Sequence, residues 1–80
     1  MKNNYLNSEK TFLKQIGSNI KQQRKKADIS QEGLALKCEL DRAYVGRVER
    51  GENNISILNL KKISDALGIK ISELLKNWFQ

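Results

Sequence analysis

The chain has 80 residues, with 15 Lys and Arg against 9 Asp and Glu and a net charge of +6, which admits one small domain and excludes a multidomain enzyme. It contains no histidine and one cysteine, Cys38, so no intrachain disulfide or zinc shell can form, a nucleophile would lack its usual base, no enzyme is expected and no cofactor is implied. No apolar run exceeds three residues, which leaves neither a membrane span nor a signal peptide and predicts a cytoplasmic protein.

Met1 to Asn7 read as a frayed polar arm, and residues 8–80 as a single all-helical domain, since the chain has no proline and its five glycines are dispersed. The first helix is expected from Ser8, an N-cap residue, to about Lys26, with Phe12, Leu13, Ile16 and Ile20 on one face. Its basic end, Lys21, Arg24, Lys25 and Lys26, either complements the helix dipole or touches phosphate. Ser30 caps a second helix, Gln31 to about Cys38, with Leu34, Ala35 and Cys38 facing inward, the cysteine as a small buried apolar residue. Asp41 caps a third, Arg42 to about Arg50, stopped by Gly51. Ser56 caps a fourth, Ile57 to Leu67, stopped by Gly68, and Ser72 a fifth, Glu73 to about Phe79.

On a helical wheel the third helix turns Val45 and Val48 inward. Ala43, Arg47 and Arg50 lie opposite them, with Arg42, Tyr44 and Gly46 on the flanks. Only Glu39, Leu40 and Asp41 separate the second helix from the third, the short turn of a helix-turn-helix. Such a turn projects the third helix outward with a cationic face. Its width fits the major groove of B-DNA, where arginine bonds guanine O6 and N7. The overall positive charge agrees, favouring polyanionic partners, nucleic acid ahead of an anionic membrane surface.

These residues follow a known pattern: Ile16-Gly17 to Ile20-Lys21, Arg24, Ser30-Gln31-Glu32, Leu34-Ala35, Tyr44-Val45, Val48-Glu49-Arg50-Gly51, Ala66-Leu67-Gly68 and Glu73-Leu74-Leu75. The chain resembles the XRE-type helix-turn-helix family of phage repressors from Lys14 to Leu75. The resemblance implies a compact five-helix, lambda-repressor-like bundle. The run Leu40 to Tyr44, with Glu49-Arg50-Gly51 and Asn54-Ile55-Ser56, looks especially like the controller proteins of restriction-modification systems.

The resemblance implies that Gln31 bonds a phosphate and that Arg42, Ala43, Tyr44 and Arg47 face bases or their flanking phosphates. Arg42 is the expected guanine reader. Ala43 stands where those proteins commonly carry Thr, and can at most touch a thymine methyl. Asn53, Asn54 and Ser56 would line the DNA backbone, and Arg50 would hold phosphate. Arg24 and Glu49 would form a partly buried ion pair of architectural purpose. If that pair is buried, removing one partner costs about 3 to 5 kcal/mol. Three positions depart from the family pattern. Gly33 cannot close a capping box with Ser30. Glu39 fills a turn position usually held by Gly or Asn, and a left-handed backbone there costs about 1 kcal/mol. Leu36 stands where a polar residue is common, and is either a bare apolar spot or a partner contact.

A chain of this length buries only about 60% of its unfolded surface, and with metal and disulfide excluded a second subunit is the remaining support. The fourth helix gives Leu60, Ile63 and Leu67 to the core. The fifth carries Ile71, Leu74, Leu75, Trp78 and Phe79, more apolar area than a short helix buries internally. Either Trp78 and Phe79 fold back over the first helix, or all five residues build a two-fold interface, as the resemblance also suggests. A homodimer would place two recognition helices about 34 Å apart on a pseudo-palindromic operator in double-stranded DNA. The controller analogy adds action at the protein's own promoter, with activation through RNA polymerase at low concentration and repression when a second dimer binds. The alternatives are a prophage-type repressor, or an antitoxin-like interaction module in which Leu36, Trp78 and Phe79 bind a protein. A membrane-surface helix would need a lysine-rich polar side, and the fifth helix offers only Lys76. No separate ligand domain is expected, hence no small-molecule ligand.

Overall fold

The computed structural model describes residues 4–76, which form five helices: α1 (Asn7–Lys26), α2 (Gln31–Cys38), α3 (Arg42–Glu49), α4 (Ile57–Leu67) and α5 (Ser72–Leu75). No strand occurs among the described residues, as the all-helical expectation required. Ser30 and Ser56 act as caps: the Ser30 hydroxyl accepts from the Gly33 N–H at 2.9 Å, the Ser56 hydroxyl from the Asn59 N–H at 3.1 Å. Asp41 is the N-cap of α3 by backbone alone, without a side-chain bond.

Two boundaries differ from those expected. α1 starts at Asn7 with Leu6 as its N-cap, because the Glu9 carboxylate reaches back to accept the Leu6 N–H at 2.8 Å. Ser8 therefore lies inside the first turn. α5 was expected to run to about Phe79 with Ser72 as its cap. Instead Ile71 already has helical dihedrals, Ser72 is helical, and Lys76 is extended after Leu75. The amide of Asn19 in α1 explains that stop, since its Nδ2 donates to the carbonyls of Leu74 at 3.0 Å and Lys76 at 2.9 Å. Trp78 and Phe79 lie outside the described residues.

The other four helices end alike. In each, a residue at positive φ and its successor return their N–H groups to carbonyls three and five residues back. Those residues are Asp28, Glu39, Gly51 and Gly68, and the successors are Ile29, Leu40, Glu52 and Ile69. Glu39, with φ 57°, is thus left-handed at the turn where the family pattern has Gly or Asn. Asp28, with φ 58°, is a second such site that the sequence pattern did not mark.

Packing follows the apolar stripes. α1 lies on α3 and α5, and α2 on α3 and α4. Ile16, Ile20, Leu34, Ala35, Cys38, Val45, Val48, Leu60, Ile63 and Leu74 form the buried core. Each large one contributes about 1.5–3 kcal/mol by leaving water. Gly17 lets α1 approach the end of α3. A Cβ there would strike the carbonyl oxygen of Val48 and lie 2.5 Å from that of Glu49. The helix-turn-helix is thereby clamped between α1 and α4.

Candidate nucleic-acid interface

The turn of Glu39 to Asp41 sets α3 with Val45 and Val48 inward, and its opposite side open to solvent. Arg42 and Ala43, in the first turn, are exposed, as is Arg50 just past the last. Arg47 is half-buried, its charge close enough to Glu52 to help hold that carboxyl low. The cationic face read from the wheel is therefore assembled.

Tyr44 is half-buried and does not swing freely. Its phenol oxygen accepts from Asn59 Nδ2 at 3.1 Å, and the Asn59 backbone N–H is the one capped by Ser56. The start of α4 thus fixes a side chain of α3. A phenol oxygen that accepts keeps its own proton available to a further acceptor. Asn59 was missed from sequence. The only signal was its place three residues after a capping serine, where a longer Glu or Gln would close a capping box.

Beneath this surface Arg24 and Glu49 form the expected pair. Arg24 Nε donates to Glu49 Oε2 at 2.6 Å and Arg24 Nη2 to Oε1 at 3.1 Å, with side-chain exposures of 10% and 2%. Arg24 Nη1 also donates to the Ile29 carbonyl at 2.8 Å. Gln31 joins the node, donating from Nε2 to Glu49 Oε1 at 2.9 Å. The residue expected to hold phosphate thus has one amide proton committed inside the fold. Its second amide N–H is the donor left for an anion.

Gln31 and Arg50 converge over buried Gly46, where a Cβ would meet Arg50 Nη1 at 3.3 Å and Gln31 Oε1 at 3.6 Å. Arg50 is held by Glu52, with Nε to Oε2 at 2.9 Å and Nη2 to Oε1 at 3.2 Å. Hydrogen bonds to Glu52, then its charge, raise the guanidinium pKa of Arg50. Hydrogen bonds from Arg50 hold the Glu52 carboxyl below its ordinary range against desolvation, with the charges of Arg50 and Arg47 acting the same way. Beyond α3, Asn53 is half-buried, whereas Asn54 and Ser56 are exposed at the entry to α4. The open side of α3 thus carries exposed Arg42 and Ala43 and half-buried Tyr44 and Arg47, Gln31 meets Arg50 over Gly46, and the loop of Asn53, Asn54 and Ser56 follows α3.

The residues expected at a dimer interface divide differently. Leu74 is fully buried inside the single chain, packed where Asn19 anchors its carbonyl, and offers no surface to a second copy. Ile71 packs partly against the same core, and Leu75 is 37% exposed. The larger exposed apolar residues stand elsewhere: Leu6 before α1, 65% exposed, Ile57 and Leu58 at the start of α4, 67% and 72% exposed, and Leu36 on α2, 74% exposed. Leu36 is thus exposed on the single chain, as either a bare apolar spot or a partner contact requires. Among the described residues no group of His, Cys, Asp and Glu is placed to hold a metal, and no helix is long and apolar enough to cross a membrane.

The helix-turn-helix family model (HTH_3) matches residues 20–74. Over 60 residues the chain is 48% identical to control protein C.MunI of a Mycoplasma species, spanning 74% of this chain and 81% of that one. Over 61 residues it is 45% identical to control protein C.BamHI of Bacillus amyloliquefaciens, spanning 75% of each. The crystal structure of the restriction-modification controller protein C.AhdI from Aeromonas hydrophila has a similar fold, with a TM-score of 0.76 at 44% identity. That similarity covers 78% of this chain and 94% of C.AhdI.

Proposed function

The chain belongs to the helix-turn-helix family, and on that premise we propose that it is a cytoplasmic, sequence-specific DNA-binding transcription regulator of the restriction-modification controller type. It binds a pseudo-palindromic operator as a homodimer beside its own promoter. The observation that carries this reading is the outer face of α3, where Arg42 and Ala43 stand exposed beside a Tyr44 that Asn59 holds in place.

Arg42, free at the first turn, is the base reader, its planar fork suited to guanine O6 and N7. Ala43 supplies at most a methyl contact to thymine. Tyr44 gives its phenol proton, and Arg47 its charge, to the flanking backbone. Gln31, through its second amide N–H, and Arg50, through Nη1, seat a phosphate where they converge over Gly46. Asn53, Asn54 and Ser56 follow the next stretch of backbone.

The two-fold interface draws on Ile57, Leu58 and Leu75, the exposed apolar residues of α4 and α5, rather than on Leu74. Two recognition helices about 34 Å apart then match one turn of DNA. At low concentration a single dimer activates through RNA polymerase, and a second dimer represses.

The test is fluorescence anisotropy against duplex from upstream of the gene and against random duplex, at about 50 and 200 mM salt. A preference of about a thousandfold that survives the higher salt is expected. Arg42→Ala should lose about 1–3 kcal/mol on the operator and little on random DNA. Equal losses on both would remove Arg42 as a base reader.

A further inference from the structure

We propose that the cavity beside the end of α3 is a second phosphate seat, in which Lys10, Lys14 and Arg50 take backbone phosphates flanking the stretch that α3 covers, and in which Glu52 occupies the place of the anion until DNA arrives. The inference rests on the DNA-binding reading and extends that surface onto α1, which the family pattern, beginning at Lys14, does not mark as a contact.

The cavity has a volume of about 320 Å³ and is walled by Tyr5, Lys10, Lys14, Arg50, Gly51 and Glu52. Lys10 and Lys14 are exposed, one helical turn apart, and neither is ion-paired among the described residues. Lys21, Lys25, Lys26, Lys37, Lys62 and Lys70 are likewise without an ion pair among the described residues, but only Lys10 and Lys14 share the wall of this cavity with Arg50. Like charges one turn apart repel, and an anion between them converts that repulsion into attraction.

The stem of Lys14 is held in place. Gly51, at φ 76°, lies so close that a Cβ there would stand 2.6 Å from Lys14 Cγ and 2.7 Å from its Cα. α1 is thereby locked against the residues that carry Arg50 and Glu52. The Glu52 carboxylate accepts from Nε and Nη2 of Arg50 at 2.9 and 3.2 Å, the same two-point geometry that a phosphate accepts. An exposed pair of this kind is weak, and a phosphate gains two lysines that Glu52 does not engage.

Because backbone phosphates carry the contact, no operator is needed for the test. The probe is a random-sequence duplex of about 30 base pairs, titrated between about 50 and 200 mM salt. Lys10→Gln/Lys14→Gln should make the plot of log affinity against log salt shallower by about 1 to 2, weakening binding by about 10- to 60-fold at 0.1 M salt. Lys10→Arg/Lys14→Arg should keep the slope. Glu52→Gln should bind more tightly than the parent chain. Lys37→Gln/Lys62→Gln, an equal charge change beside a different cavity, should lose less than the first pair.

Equal losses for the two glutamine pairs, or weaker binding by Glu52→Gln, would overturn the second seat while leaving the recognition helix untouched. A parent chain with no salt-dependent affinity for the duplex would overturn the DNA reading, and this inference with it.

Discussion

Glu49 and Arg50 are adjacent in sequence, and each closes an arginine–glutamate pair through two hydrogen bonds. The Arg24–Glu49 pair has side chains 10% and 2% exposed and is sealed further by Gln31 and the Ile29 carbonyl. The Arg50–Glu52 pair has side chains 59% and 52% exposed and, among the described residues, no hydrogen bond beyond its own two. The chemistry is shared and the environment is not. In the first, each charge depends on the other because water cannot replace a lost partner. In the second, water replaces either partner at little cost, so the pair can open to admit a ligand. Two glycines mark the same division: Gly17 brings α1 onto the carbonyls beside Glu49, and Gly51 brings Lys14 beside Arg50.

The largest effect that would test this contrast is on the buried pair. Glu49→Ala leaves Arg24 and the Gln31 amide without their acceptor and should cost about 3–5 kcal/mol in urea unfolding. A loss below about 1 kcal/mol would mean that water reaches the node and that the two pairs are alike. Gly17→Ala comes next. Helix propensity favours alanine by about 1 kcal/mol, but the new methyl meets fixed backbone at the end of α3. The outcome should be a net loss within the overpacking range of about 1–3 kcal/mol, read as a lower Tm. An alanine variant as stable as the parent would show that α1 can step back without breaking Arg24 from Glu49.

Glu39 sharpens the comparison from another side, since it is exposed and makes no side-chain bond among the described residues. Its cost lies in the backbone, with φ 57°. Glu39→Gly should stabilise by about 1 kcal/mol, while Glu39→Gln should change nothing. If the glutamine gains as much as the glycine, charge rather than dihedral strain governs that turn.

The smallest effect belongs to Glu52→Gln, which should leave the Tm at neutral pH unchanged within error. Because Glu52's carboxyl sits below its ordinary value of 4.5 in the folded chain, whatever the pair contributes is present above that value. It is lost as pH falls through the lower folded one. A difference between Glu52→Gln and the parent should therefore vanish in acid. A difference that grows as pH falls would contradict the sign.

Much of this molecule was written locally. Ser30, Ser56, Gly51 and Gly68 punctuate the helices, the stripes of Ile16 and Ile20, Leu34 and Cys38, and Val45 and Val48 face inward, and the short turn before Asp41 sets up α3. Each depends on neighbours within a few residues, where propensity and periodicity act. The face of α3 was legible from its helical period, whereas the Arg24–Glu49 pair was legible only through resemblance to a family, because nothing local joins residues 25 positions apart.

What only the tertiary structure decided is where the polar side chains spend their hydrogen bonds. Gln31 turns a proton inward to Glu49, Asn59 steadies Tyr44, and Asn19 stops α5 and leaves Leu74 inside. A buried donor must find an acceptor wherever the packed helices supply one. That partner is fixed by the approach of whole helices, a distance that no stretch of sequence contains by itself.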